Sequence, residues 1–140
     1  MATARYLIDN SALVRVAHPV VQRAWTGILE AGMVGVCPVT ELEFRYSSRS
    51  LEDYEIDRDL MADLYAWFDI PDSAWRRAAE VQYEMVRRGT HRSAGLPDLV
   101  LAATAETHGL TVLHYDADYD TIAEVTGQPT EWIAPRGSAN

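Results

Sequence analysis

The sequence predicts an α/β fold, a three-layer α/β/α sandwich around a mostly parallel central sheet. Short apolar runs alternate with longer segments whose apolar positions recur at helical spacing, an order typical of strand–helix–strand units. The run from Arg5 to Asp9 is apolar and ends in an acid, as a buried parallel strand would. The 140 residues suit a single domain, which we expect over residues 1–135, followed by a short polar tail at 136–140.

The predicted elements follow one another without repeats or linkers. Strands are expected at residues 5–9, 34–37, 111–114 and 130–133, with a short extended piece at 68–71. Helices are expected at residues 12–17, 20–31, 38–48, 51–69, 72–88 and 97–108, and, after a loop, in the segment that ends at 126. Residues 89–95 are expected to form a basic loop.

Three helices carry specific expectations. Ser11 is expected to cap the first helix. The segment 51–69 has one acidic side, which we expect to be solvated, and apolar residues at helical spacing on the other: Leu60, Leu64, Trp67 and Phe68. The helix 72–88 is expected to bury the stripe Trp75, Ala79, Tyr83 and Val86.

The composition is that of a folded globular protein. Hydrophobic residues make up 48% of the chain and charged residues 24%. No apolar run approaches the roughly 20 residues that span a bilayer, and the N-terminus lacks the pattern of a signal peptide. Cys37 is the only cysteine and lies in an apolar run, so we expect it in the core of a cytoplasmic protein.

The charge balance argues at first against a nucleic-acid substrate. The net charge is −9, and an acidic protein repels a polyanion at long range. Bound Mg²⁺ would neutralise part of that charge at a site. The basic residues are all arginine, which binds phosphate through paired hydrogen bonds, although genomic base composition explains this usage equally well. The lack of lysine excludes mechanisms that require one.

Four acids stand where solvation does not explain them: Asp9, Glu43, Asp98 and Asp116. Asp9 and Asp116 follow apolar strands, at the sheet edge where α/β folds bind ligands. Asp98 opens the most apolar helix of the chain, and no arginine lies locally beside these three aspartates. Because carboxylates gathered without cations repel one another, we expect a divalent metal ion among them. Oxygen-only ligands favour Mg²⁺, with Mn²⁺ as the other candidate.

Each acid taken alone has a simpler explanation. Asp9 could simply be the cap of the following helix, and Asp98 could be a first-turn acid favoured by the helix dipole. Glu43 has an equally acidic neighbour in Glu41, and Asp116 is followed by other acids. The metal hypothesis therefore depends on the four acids jointly.

Four motifs occur in a fixed order along the chain. They are Asp9-Asn-Ser11, Thr40-Glu-Leu-Glu43, Pro97-Asp98 at a helix start, and Asp116-Ala-Asp118-Tyr-Asp120. Together they resemble the PIN domain family, specifically the VapC-type toxins of bacterial toxin–antitoxin pairs. The resemblance extends from Tyr6 to about Ile133, and no single motif is specific by itself.

The resemblance implies a metal-dependent endoribonuclease, a toxin that cleaves tRNA or ribosomal RNA and inhibits translation. It assigns a catalytic role to Asp9, Glu43, Asp98 and Asp116. The three aspartates of this set would bind one or two Mg²⁺ ions, which polarise the scissile phosphate and activate a water molecule for in-line attack. Glu43 would orient that water or hold it at the metal.

Further roles follow from the same resemblance. Asp118 matches a second acid often present and is assigned as a further metal ligand, whereas Asp120 is interpreted as helical surface. Ser11 matches the small hydroxyl residue that supports the first acid. Glu43 is preferred to Glu41 because the family's acid stands three residues after the threonine.

Partners are predicted on the same basis. We expect an RNA substrate, a small VapB-like antitoxin that pushes a basic side chain into the acidic site, a homodimer, and no membrane association. The acidic segment 52–63 suits a basic partner, unless it is merely solvated. Candidate phosphate contacts are Arg45, Arg49, Arg87, Arg88 and Arg92. Aromatic residues that could form the dimer surface, or equally the core, are Trp25, Tyr54, Tyr65 and Trp67.

Other acid-based sites fit less well. Haloacid dehalogenase-type enzymes need a second Asp where this chain has Ser11, and they and response-regulator receivers need a lysine. A calcium loop starting at Asp116 would need Gly at Thr121 and Glu at Gly127. A PIN-like module that binds RNA or a partner without cutting is the remaining alternative.

Overall fold

A five-stranded sheet, parallel throughout, forms the centre of the protein. The computed structural model describes residues 3–140. Its strands are β1 (Tyr6–Ile8), β2 (Val34–Val36), β3 (Ala66–Trp67), β4 (Thr111–His114) and β5 (Thr130–Trp132). Their order is β3-β2-β1-β4-β5, so β1 and β4 are neighbours in the middle of the sheet.

Seven α-helices surround the sheet in the described part of the chain. They are α1 (Asn10–Leu13), α2 (Pro19–Glu30), α3 (Pro38–Tyr46), α4 (Leu51–Leu64), α5 (Asp72–Arg88), α6 (Leu96–His108) and α7 (Asp118–Thr126), with one 3₁₀ turn at His91–Ser93. Within residues 3–140, no helix has the length and apolar character that crossing a membrane requires.

The sheet separates two hydrophobic cores. Leu7 and Val112 point into one core with α5, α6 and α7, whereas Ile8 and Leu113 point into the other with α1, α2 and α4. Successive residues of a strand face opposite sides, so each central strand serves both cores. Burial on both faces explains the continuous apolar runs, and the predicted α/β/α sandwich is confirmed.

The helix predicted over 51–69 is too long. Helix α4 ends at Leu64, Tyr65 is extended, and Ala66–Trp67 form the edge strand β3, which pairs with Gly35 and Val36 of β2. Local spacing could not reveal this strand, because its hydrogen bonds go to residues thirty positions away. Met61 is the buried residue of α4, whereas Leu60 and Leu64 are exposed.

The stripe predicted for the helix 72–88 is also wrong. Trp75, Tyr83 and Val86 are exposed, and α5 buries a different face: Ala74, Ala78, Val81 and Met85. This face lies in the same core as the buried residues of α6, and it combines two alanines with the larger Val81 and Met85. Hydropathy alone favoured the larger aromatic residues.

The C-terminal residues 136–140, expected as a polar tail, fold back onto the domain. Ala139 is 1% exposed, and its backbone N–H donates to the Tyr115 hydroxyl (2.9 Å). Its carbonyl oxygen accepts from Arg15 Nε (2.9 Å). The chain end therefore lies beside the residues that follow β4.

We predict that Gly35→Ala lowers the free energy of unfolding by about 1–3 kcal/mol, the usual cost of overpacking a core. A Cβ atom at Gly35 would lie 2.6 Å from Phe68 Cδ2 and 3.2 Å from the Ala66 carbonyl oxygen. Urea denaturation measures the effect. The control is Gly27→Ala, where nothing lies within 4 Å of the added carbon. Equal stability of the two variants would contradict the prediction.

Candidate metal and active site

The predicted acids gather at the carboxyl edge of the sheet. Asp9 directly follows β1, and Asp116 and Asp118 follow β4, the strand hydrogen-bonded to β1. Asp98 lies in the first turn of α6, the most buried helix. Parallel neighbours end at the same edge, so residues distant in sequence meet there.

Three carboxylates form the tightest cluster in the described chain. Oxygen atoms of Asp98, Asp116 and Asp118 all lie within 4.8 Å of one another. The Asp118 backbone N–H donates to Asp116 Oδ1 (2.9 Å), which keeps the two side chains on one turn. Burial, followed by the charge of Asp116, raises the pKa of Asp118. Asp118, expected only as a further ligand, is thus a full member of the cluster.

Asp9 joins this cluster through the hydroxyl of Tyr119. The hydroxyl donates to Asp9 Oδ1 (2.7 Å) and also lies 3.3 Å from Asp98 Oδ1. Asp9 Oδ2 accepts from the Ser11 backbone N–H (3.0 Å), so Asp9 caps α1, and the capping role predicted for Ser11 is wrong. Asp9 is 4% exposed.

Tyr119 is the residue in contact with the acids that sequence reasoning missed. It belongs to the Asp-x-Asp-Tyr-Asp motif, but nothing in its local pattern distinguishes it from a core aromatic residue. Its side chain is fully buried. Burial and the neighbouring carboxylates raise its pKa well above the usual value, so the hydroxyl keeps its proton and remains a donor.

Asp98 combines a helix-end role with a site role. Its Oδ2 accepts from the Gly95 backbone N–H (3.2 Å), while Oδ1 faces Tyr119. Burial, followed by the charge of Asp9, raises the pKa of Asp98 to about 7. The capping explanation and the metal-ligand explanation are therefore compatible for Asp98 and Asp9 alike.

Glu43 lies on α3, which a hydrogen bond from Thr40 Oγ1 to the Ile8 carbonyl oxygen (2.7 Å) ties to the end of β1. Glu43 Oε1 is buried without a hydrogen-bond partner among residues 3–140. Burial, and then the charge of Asp9, raises the Glu43 pKa. Glu41 is instead occupied by Arg45 (3.6 Å) and Trp67 Nε1 (2.9 Å), which supports the preference for Glu43.

Ser11 supports the site in two ways. Its backbone N–H orients Asp9, and its hydroxyl accepts from the Tyr115 backbone N–H (3.0 Å), joining the start of α1 to the segment after β4. The Asp116 backbone N–H donates to Nδ1 of the buried His114 (3.1 Å). Both loops that carry acids are therefore anchored by side chains.

The donor set fits a hard divalent cation. Across the described residues, no ion pair involves Asp9, Glu43, Asp98, Asp116 or Asp118, whereas seven ion pairs are formed elsewhere. All available ligand atoms are carboxylate oxygens, the donors that Mg²⁺ and Mn²⁺ prefer. The unpartnered Glu43 Oε1 offers one more oxygen at the edge of the cluster.

The predicted phosphate-contact arginines are scattered. Arg45 pairs with Glu41, and Arg87 and Arg88 both pair with Glu84. Arg49 and Arg92 are exposed. A phosphate contact by any of these five stays a prediction.

Two of the aromatic dimer candidates belong to the core. Trp25 is 8% and Tyr65 9% exposed, and Trp25 Nε1 donates to the Ile133 carbonyl oxygen (2.6 Å). Trp67 is 59% exposed.

We predict that Tyr119→Phe weakens Mn²⁺ and Mg²⁺ binding by about 10- to 100-fold, the typical cost of losing a group that orients a metal ligand. Without the hydroxyl, Asp9 Oδ1 loses its hydrogen-bond donor, and no donor lies between the carboxylates of Asp9 and Asp98. Isothermal titration calorimetry measures the affinity. Tyr83→Phe, an exposed position on α5, is the matched control and should bind metal normally. Unchanged affinity in Tyr119→Phe would refute the role of the hydroxyl.

The chain is similar to known proteins over most of its length. The PIN domain profile matches residues 6–125. The chain is 42% identical to Ribonuclease VapC21 of Mycobacterium tuberculosis over 137 residues, covering 98% of this chain and 99% of that protein. It is 44% identical to Ribonuclease VapC51 of the same organism, covering 96% of each.

Solved structures show the same fold. The DNA-bound VapBC complex from Salmonella typhimurium contains a chain that matches with a TM-score of 0.77 at 16% identity, covering 94% of this chain and 100% of that one. VapBC-5 from Mycobacterium tuberculosis matches with a TM-score of 0.60 at 21% identity, covering 94% and 98%. The chain therefore belongs to the PIN domain family and, within it, to the VapC group.

Proposed function

We propose that the protein is a Mg²⁺-dependent endoribonuclease, the toxin of a VapBC-type toxin–antitoxin pair, which cleaves tRNA or ribosomal RNA and inhibits translation. The observation that carries the proposal is the cluster of Asp98, Asp116 and Asp118, with oxygens within 4.8 Å and no cation of the described chain paired to them. Two relatives that match over almost their whole length are named ribonucleases, which supports RNA as the substrate. Such a target suits a cytoplasmic protein.

The aspartates of the site would together bind the metal ion. Asp98, Asp116 and Asp118 would hold the cation, and Asp9, joined to them through Tyr119, completes the set. When bound, a divalent cation supplies positive charge that polarises the scissile phosphate and makes water easier to ionise. Mn²⁺ can replace Mg²⁺ at such oxygen ligands.

Glu43 is suited to orient the attacking water. Its Oε1 has no protein partner among the described residues, and its raised pKa makes it a better proton acceptor than an exposed glutamate. The Ser11 and Tyr119 hydrogen bonds keep Asp9 from turning away from the site. This arrangement favours hydrolysis over mere binding, because an unpartnered carboxylate that can orient water serves cleavage and adds nothing to RNA binding.

We predict that Asp98→Asn and Asp9→Asn each lower RNA cleavage about 100-fold or more, since each removes a carboxylate that would hold the cation whose positive charge stabilises the transition state. Purified full-length protein is assayed with Mg²⁺ on total RNA, and again after chelation with EDTA, which should stop cleavage. Asp63→Asn, an exposed acid of α4, is the control and should cleave normally. Undiminished cleavage by both site variants would overturn the assignment of the site. Absence of metal-dependent cleavage by the unmodified protein would favour the non-catalytic RNA- or partner-binding alternative.

The antitoxin is proposed to bind along α4. This helix is acidic, and it exposes an apolar row at i, i+4 and i+8 formed by Ile56, Leu60 and Leu64. A basic amphipathic segment would match both features. The structural neighbours described as VapBC complexes support such a partner.

A homodimer is proposed to use a different surface. Leu42, Trp75 and Leu96 are each more than half exposed and, with Val39, line an apolar hollow of about 220 Å³ beside Glu43. Contiguous exposed apolar residues of this kind mark protein interfaces.

The two surfaces serve as controls for each other. With its VapB-like antitoxin co-expressed, Leu60→Glu is expected to lose the antitoxin on affinity purification and to keep its oligomeric mass. Trp75→Glu is expected to keep the antitoxin and to halve the mass of the free protein in light scattering. Loss of antitoxin binding only in Trp75→Glu would reverse the assignment.

A further inference from the structure

A groove with a different character opens from one side of the acid cluster. It has a volume of about 330 Å³, and Asp116 and Asp118 are among the residues that line it. Arg15, Trp132 and Arg136 line the same groove. Two arginines thus share a single groove with the metal-site acids, in a protein whose net charge is −9.

Arg15 is held in place without an acidic partner. Its Nε donates to the Ala139 carbonyl oxygen (2.9 Å) and its Nη1 to the Ser11 carbonyl oxygen (2.6 Å). Its guanidinium carbon lies 4.4 Å from the centre of the Tyr115 ring. These neutral contacts fix the plane of the guanidinium and leave its charge uncompensated by any carboxylate of residues 3–140.

Arg136 has a similar setting on the C-terminal segment. Its guanidinium carbon lies 5.9 Å from the centre of the Trp132 ring, and it forms no ion pair with the described acids. The Trp132 ring is itself oriented by a hydrogen bond from Nε1 to Asp120 Oδ2 (3.2 Å). This exposed arginine therefore lies beside an aromatic ring and has no carboxylate partner among the described residues.

Half of the other ten arginines have their charge compensated by carboxylates. These five are Arg45, Arg58, Arg77, Arg87 and Arg88. A fixed guanidinium without a carboxylate is suited to bind an external anion, and its planar N–H groups match a phosphate. A chain of phosphates also needs local cations to approach an acidic site.

We propose that Arg15 and Arg136 bind backbone phosphates of the RNA next to the scissile phosphate, so that this groove guides the strand out of the acid cluster. The proposal rests on the proposed function, because it takes RNA as the substrate held at Asp98, Asp116 and Asp118. RNA is favoured over a protein ligand because the guanidinium groups share one groove with the metal-site acids, where a phosphodiester must lie for cleavage.

The test measures how RNA affinity depends on salt. All variants are made in full-length protein carrying Asp98→Asn, which prevents cleavage, and are titrated against a labelled single-stranded RNA of mixed sequence at several NaCl concentrations with Mg²⁺ constant. Each lost phosphate contact reduces the slope of log affinity against log salt by about 0.7 for single strands. We expect this reduction for Arg15→Gln and Arg136→Gln, and about twice as much for the double variant.

Arg23→Gln and Arg76→Gln are the controls, since both residues are exposed on other helices and outside the groove. Arg136→Gln is the decisive variant, because Arg15 also holds the chain end and its loss could loosen that segment. Salt slopes for Arg136→Gln and the double variant equal to those of the controls would overturn the proposal and leave the groove to a protein ligand.

The proposed function is judged separately, by cleavage with the unmodified chain. Cleavage together with unchanged slopes would overturn the groove assignment alone. Altered slopes without cleavage would overturn catalysis alone.

Discussion

Repulsion among carboxylates that are wholly or partly buried is the constraint on which this structure depends. Asp9, Asp98, Asp116 and Asp118 meet without a protein cation among the described residues, and each must be held there against the charge of the others. The restraints are neutral donors: backbone N–H groups and the buried Tyr119 hydroxyl. Neutral donors stabilise ionised oxygens without cancelling their charge. The site therefore retains its negative charge for an external cation.

The sheet brings the acids together although its strands are short. Its strands are two to four residues long, so ladder hydrogen bonds alone specify the edge poorly. Side-chain bonds between elements supply the rest: Thr40 to the end of β1, and Ser11 to the segment after β4. Each bond is made to the residue that precedes an acid in the chain: Ile8 before Asp9, and Tyr115 before Asp116. The same residues that complete the fold also position the chemistry.

The surface charges of the protein are also arranged so that some arginines have no carboxylate partner. An acidic chain can accept a polyanion only where cations are concentrated, at the bound metal and at arginines free of carboxylates. Arg15 and Arg136 reach the groove from opposite ends of the chain, because the C-terminal segment folds back beside Tyr115. Proximity in sequence to Asp98 pointed instead to Arg87, Arg88 and Arg92, two of which pair with Glu84.

The fold class, most element positions and the candidate acids Asp9, Asp98 and Asp116 could be predicted from local patterns, because apolar periodicity and an acid beside an apolar strand or helix are local signals. Glu43 and Asp118 were assigned only through the family resemblance. Tertiary structure alone decided the edge strand β3, the buried face of α5, the bridging role of Tyr119 and the arginine groove. Each of these depends on a partner far away in the chain. The sequence records which side chains can bind a metal ion, whereas packing decides which of them share it and which neutral donors hold them together.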